Sequence, residues 1–410
     1  MKKLIIILSL AVLWQLAPAQ DQLEPFRRMA AESNPGLKAA FSEYKAALEK
    51  TAQAGSLPDP QLSLETFISP IQTRTGPQRA RIAITQAFPW FGTLAASENQ
   101  SAKQAEAAYE LFREKEASLY LQVENAWYDL YLNRKEQQLT LENLDLLRSL
   151  YRSMESRVET GKASSLDLYR IQMESGDLEN KLALQKDMQT ALEQSFRNLL
   201  NASDDFTIPV PDSLEQREFT MTVEEIKELV STQNPRLKAL QLQQEALQYR
   251  KELAENQGKP SFRLGFAYTI IGQGPDQLPG TDAFMFPMVG ISLPIYRDKY
   301  RAMVNETVYL QEAKGFEKEE KVNMLETLLS FAWKDYSDAS RRLELFKVQE
   351  ELADRSLRIM LADYGASTGS LAELLRMERK KLGYGLELER ARADREAAIS
   401  FLNYLMGGTQ

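Results

Sequence analysis

Two pairs of oppositely charged side chains in this sequence are spaced for electrostatic work. Asp167 and Arg170 stand three positions apart, and Glu373 and Arg376 repeat the arrangement later in the chain. Residues three apart share a face of a helix, so each carboxylate can meet its guanidinium. On a solvated face such a pair contributes a few tenths of a kcal/mol. Catalysis is not what these residues offer. The 410-residue chain holds no histidine and no cysteine. Most acid–base and nucleophilic mechanisms, and most zinc sites, use one or the other. Only a carboxylate-only enzyme would remain, so neither an enzyme nor a bound cofactor is expected. Met285, Met288, Met324, Met360 and Met377 are too scattered for a soft-metal site, and packing accounts for them.

Charge and the N-terminus narrow the setting. Residues 1–19, MKKLIIILSLAVLWQLAPA, read as a Sec signal peptide, with Lys2 and Lys3 before an apolar run and Ala17-Pro18-Ala19 as the cleavage site. Without its two lysines the mature chain has 48 basic and 58 acidic side chains, a formal charge of −10. That acidic excess gives no support to nucleic-acid binding, which uses a basic face. After residue 19 no stretch approaches the roughly 18 apolar residues of a spanning helix. A membrane crossing would have to be made by strands.

The charged pairs lie in stretches built to be helical. No proline occurs between Pro89 and Pro209, and none follows Pro294. Helix formers dominate both stretches. Leu144, Leu147, Tyr151, Met154 and Val158 step by three and four, as do Ala332, Tyr336, Ala339, Leu343 and Phe346, then Ala353, Leu357, Met360 and Tyr364. That is coiled-coil spacing. Gly161 and Gly365 are the best breakers, so each stretch is expected to form a long helical hairpin, over about 93–200 and 298–406. A helix from Thr93 to Val158 would be roughly 100 Å long.

The proline-containing regions carry strand character at 61–69, 80–88, 261–271 and 284–295. In SFRLGFAYTI, Phe262, Leu264, Phe266, Tyr268 and Ile270 share one face, and Arg263, Gly265, Ala267 and Thr269 share the other. Ile82, Ile84 and Phe88 likewise oppose Arg81, Ala83 and Thr85. About ten residues, apolar on one face and small or polar on the other, is the pattern of a transmembrane β-strand.

The order of parts repeats. NPGLKA at 34–39 recurs as NPRLKA at 234–239, and NAWYDLY around Trp127 matches FAWKDYS around Trp333. The chain is read as an internal duplication. A first repeat covers 20–200, with a helix, a strand pair at 61–88 and the hairpin 93–200. A linker follows at 201–221. The second repeat covers 222–410, with a helix, a strand pair at 261–295 and the hairpin 298–406.

This duplicated arrangement behind a signal peptide resembles the TolC-type outer-membrane factors over the whole mature chain. AGSLPDPQLSLE (54–65) and ITQAFPWFG (84–92) are similar to the heavy-metal and cation-efflux branch of that family. The resemblance implies a mainly α fold with a small β part. Duplicated helical hairpins would form an α-barrel, and four strands per chain would contribute to a 12-stranded trimeric barrel in the outer membrane. Four strands alone cannot close, and an open edge in lipid leaves backbone groups unpaired. The implied function is the exit duct of a tripartite efflux system, metal cations being one cargo class. Its implied partners are outer-membrane lipid, a periplasmic adaptor and an inner-membrane pump of the resistance-nodulation-division type. The alternative is a periplasmic coiled-coil adaptor or envelope tether. Adaptors, however, carry one hairpin between lipoyl-like domains, where this chain has two in tandem.

The resemblance also assigns sites. Glu65, Arg81 and Arg263 would line the barrel lumen. The hairpin turns, Gly161, Lys162 and Ala163 in one copy and Tyr364, Gly365 and Ala366 in the other, would dock the adaptor. Just past the turn the family narrows its tunnel with acidic groups one turn apart. With a two-residue insertion after Gly365 these positions fall on Glu373 and Arg376, and on Asp167 and Arg170 in the first copy. Arginine at the second position departs from the acidic pattern.

Overall fold

A computed structural model of the chain describes residues 22–161, 164–214, 216–274, 279–366 and 369–408. The signal-peptide segment 1–19 lies outside them. In chain order the elements are α1 (Glu24–Ser33), α2 (Pro35–Ala54), β1 (Gln61–Thr66), β2 (Gln72–Thr73), β3 (Gly76–Phe88), α3 (Thr93–Glu159), α4 (Ser165–Leu200), α5 (Val223–Gln233), α6 (Pro235–Gln257), β4 (Ser261–Ile271), β5 (Ala283–Ser292), α7 (Arg297–Gly365) and α8 (Leu371–Leu405). The proline-free stretches form α3 with α4 and α7 with α8. Helices of 67 and 69 residues propagate because nothing in them removes a backbone donor.

The chain folds as two compact units, and each draws on both copies. One comprises the described residues within 40–112 and 235–323, and the other those within 22–39, 113–234 and 324–408.

In the first of these units the strands form one antiparallel sheet in the order β1-β3-β4-β5, with the two-residue β2 beside β3. The central pairing joins the two copies, Ile82 facing Tyr268 and Ile84 facing Phe266. Facing residues share a side of the sheet, so Leu62, Leu64, Ile82, Ile84, Phe266 and Tyr268 lie on one face. Phe284 and Val289 of β5 join them, with the Phe284 ring 5.9 Å from Phe266. Gly265 is required where it stands. A Cβ there would come within 2.3 Å of the Ile84 carbonyl oxygen.

In the other unit the ends of α3, α4, α7 and α8 share one apolar cluster. Leu144, Leu147 and Met154 meet Ile171, Leu178 and Leu182, Leu357 and Tyr364, and Leu371, Leu374 and Leu375. Leu144, Leu147 and Met154 are residues of the three-four stripe legible in the sequence.

The repeated Asn-Pro motif has its explanation in this unit. The Asn34 side-chain amide donates to the carbonyl of Leu199, near the end of α4, at 2.9 Å. Asn234 does the same for Leu405, the last residue of α8, also at 2.9 Å. Each copy therefore begins by capping its own last helix, whose final carbonyls have no partner within the helix. The following proline starts α2 or α6, where a missing N–H costs nothing. Leu37 and Leu237 are buried beside them. Asn234→Ala is expected to destabilise the end of α8 by about 1 kcal/mol. Faster amide hydrogen exchange in the last turn of α8, with α4 unchanged, is the measurement that checks it.

The linker between the copies is tied down by a buried ionic knot. Arg217 donates to the Glu396 carboxylate at 2.7 Å, the Tyr128 hydroxyl at 2.9 Å and the Ser400 hydroxyl at 2.9 Å. Arg395 meets the other oxygen of Glu396 at 2.6 Å and donates to the Arg217 carbonyl at 2.9 Å.

Candidate functional site

Two places carry the residues singled out in the sequence: the polar face of the sheet and the turn ends of the long hairpins. On the sheet, Glu65 faces Arg81 across β1 and β3, and Arg81 faces Thr269 of β4. Arg263 faces Ala87 on β3 and Gly290 on β5. Alternation along β3 places Arg81, Ala83, Thr85 and Ala87 on one side, so Glu65, Arg81 and Arg263 share the face opposite the apolar one. Between Arg81 and Arg263 that face holds Ala83, Ala267 and Gly265, all buried. The Arg81 guanidinium also donates to the sulfur of Met288 at 3.6 Å. The sheet is therefore two-sided, with one face of large apolar groups and one of small groups, Met285, Met288 and a few charges.

At the hairpin ends the two copies differ. α3 stops at Glu159, and Gly161 adopts a left-handed φ of +70°, a conformation that side chains resist. Ser164 caps α4 by accepting from the Leu166 amide at 3.2 Å. Lys162 and Ala163 lie outside the described residues. Gly365 ends its helix without a left-handed turn. It is the last residue of α7, its φ is not positive, and a Cβ there would meet nothing within 4 Å. Ala366 still bonds back to the Ala362 carbonyl at 3.0 Å.

Tyr364, expected on the docking surface, is buried in the tip cluster. Its hydroxyl donates to the Met154 sulfur at 3.5 Å, and burial raises its pKa. Arg157, near the end of α3, donates to the Tyr364 carbonyl at 3.2 Å and lies 5.1 Å from the centre of its ring. One guanidinium thus ties the end of one copy's hairpin to the end of the other's. The sequence reading did not identify Arg157. Its one signal there was a basic residue in the last turn of α3, which is ordinary helix-end chemistry.

The two charged pairs also behave differently. Asp167 and Arg170 form an ion pair at 3.1 Å. Glu373 and Arg376 are both exposed and make no ion pair with each other. Asp167 and Glu373 occupy the same place, the third residue of α4 and of α8, three after Ser164 and Ser370. An acid there is favoured by the helix dipole.

Comparison with known proteins places this geometry. Residues 27–202 match the family model described as Outer membrane efflux protein. Over that segment the chain is similar to the outer membrane efflux protein family. No curated protein matches the sequence. Solved structures with the same fold include the outer-membrane channel OprN, at 17% identity and a TM-score of 0.79, covering 94% of this chain and 90% of that one. VceC of Vibrio cholerae is similar at 16% identity and 0.79, covering 94% and 96%. CusC is similar at 17% identity and 0.80, covering 96% and 94%. The fold is thus the one these outer-membrane proteins share.

Proposed function

We propose that three copies of this chain close a 12-stranded barrel in the outer membrane and continue as a helical tunnel in the periplasm, the exit duct of a tripartite efflux system. The observation that carries the reading is the sheet. β1 and β5 are the sheet's edges, each with one side unpaired among the described residues, and one face presents Leu62, Leu64, Phe284, Val289 and Ile291 exposed. Lipid suits that face, but in lipid an unpaired edge costs several kcal/mol per backbone group. Further copies supply the missing strands and turn Glu65, Arg81 and Arg263 toward a lumen. Reconstitution tests it. The expected result is an outer-membrane trimer that conducts ions in planar bilayers. A monomer released by osmotic shock would favour the tether reading instead.

In this reading an inner-membrane pump delivers cargo, and its adaptor meets the turns at Gly161 and at Gly365 and Ala366. The heavy-metal branch resemblance makes metal cations a candidate cargo. The pump, not the duct wall, would select it. Gly161→Val forces a branched side chain into a left-handed backbone conformation. Efflux is expected to fall while the trimer stays in the outer membrane. Full efflux would remove this turn from the docking surface.

The same ends would form the periplasmic gate, with Asp167, Arg170, Glu373 and Arg376 around it and Arg157 holding the hairpins together. Arg157→Ala is expected to raise single-channel conductance more than Glu373→Ala or Arg376→Glu, because the latter two residues do not pair with each other. Equal conductance in wild type and Arg157→Ala would take the gate elsewhere.

A further inference from the structure

Glu378 takes part in none of these pairs, and its surroundings are apolar. It follows Leu371, Leu374 and Leu375 by seven, four and three residues on α8, in the stripe that packs into the tip cluster. It is 2% exposed, and neither carboxylate oxygen has a hydrogen-bond partner. Burying an ionised carboxylate without a partner costs far more than burying the neutral acid. The two charged groups that act on it are Glu174 of α4 and Arg379 beside it. Arg379 is engaged with Glu174 at 3.7 Å, so it compensates only in part. From α3 and α7 the cluster presents Leu147, Met154, Leu357 and Tyr364. On α7 the carboxylate of Asp354 is held by Lys381 at 2.6 Å and by Arg358.

We propose that Glu378 is a proton-operated latch on the hairpin ends. With its proton it packs as a polar but neutral member of the leucine stripe. Without it, a bare carboxylate faces Glu174 inside the cluster, and α8 loosens from α4. Burial first, and Glu174 second, push its pKa up to about 7. The sign follows from linkage. Between the ordinary carboxylate range and about pH 7 the packed state holds a proton that the opened state releases. Stability of the packing therefore falls as pH rises through that window and is level above it. A carboxylate in an apolar stripe would otherwise only cost stability, and a neutral Gln or a leucine would pack there without it. The link from loosening to channel opening rests on the gate reading above, whereas the latch itself does not.

Amide hydrogen exchange of the purified full-length protein tests it, read over residues 171–182 and 371–382 and corrected for intrinsic rates. Protection is expected to fall about tenfold between pH 6 and pH 8, the change that a shift from 4.5 to about 7 produces. In Glu378→Gln the protection should be high and independent of pH. A pH-independent wild type, or a Glu378→Gln variant that keeps the wild-type response, overturns the latch. Should that variant fail to assemble, Glu174→Gln serves instead. It should move the transition to lower pH, and an unmoved transition overturns the latch equally. Conductance over the same pH range separates the two readings. Exchange that responds while conductance does not leaves the latch standing and removes the gate from this end.

Discussion

Arginine in place of Leu64 and Val289 is expected to remove the proposed trimer from the outer membrane. Both residues lie on the apolar face, on the two edge strands, and they are 70% and 66% exposed in the single chain. A charge on the lipid face of a barrel costs about 2–4 kcal/mol near the midplane. Two such charges per chain, multiplied by the copies that must assemble together, exceed the margin by which folded proteins survive. The readout is the loss of the heat-modifiable trimer band from an outer-membrane fraction. Ser63→Arg is the control. Ser63 neighbours Leu64 but faces Ala83 on the polar side. That arginine should be tolerated and should alter only conductance or ion selectivity. If both faces tolerate arginine alike, the strands do not meet lipid.

Glu396→Ala should produce the largest loss of stability among single changes in the helical unit that contains it. Glu396 is 2% exposed and accepts from Arg217 and Arg395 at 2.7 and 2.6 Å. Removing it takes the shared carboxylate from two guanidinium groups, of which Arg395 is the more buried. Breaking a buried pair from one side costs about 3–5 kcal/mol. Arg27 and Glu124, at 2.6 Å, form a neighbouring pair that would absorb little of this, since Arg217 is 4.0 Å from Glu124. The measurement is the midpoint of thermal unfolding. A double variant, Arg217→Met with Glu396→Leu, should recover much of the loss, because apolar groups of similar volume need no partner there. A Glu396→Ala protein that melts with the wild type would show that the linker is not held by this knot.

The helices, the strands and their sidedness were legible in the residues themselves. Absent prolines and three-four spacing specify α3, α4, α7 and α8, because both act through the local backbone and a single helix face. Alternation in SFRLGFAYTI specifies which groups of β4 lie together, since the pleat makes that choice within one strand. The paired NPxLKA motif announced the duplication, although its reason, a side-chain cap on a helix more than 160 residues away, is a contact between distant segments. The tertiary structure decided the rest. Tyr364 has the spacing of a packing residue and the position of a tip residue, and only packing against Met154 and Arg157 chose between them. Glu373 and Arg376 have the same spacing as Asp167 and Arg170, yet only the first-copy pair forms, because a spacing permits a contact without forcing the rotamers that make it. Glu378 looks like any acid on a helix until packing buries it to 2% exposure. Local pattern fixes which atoms can share a face. The charge state and pairing of a side chain depend on what covers that face, and the covering groups come from elsewhere in the chain.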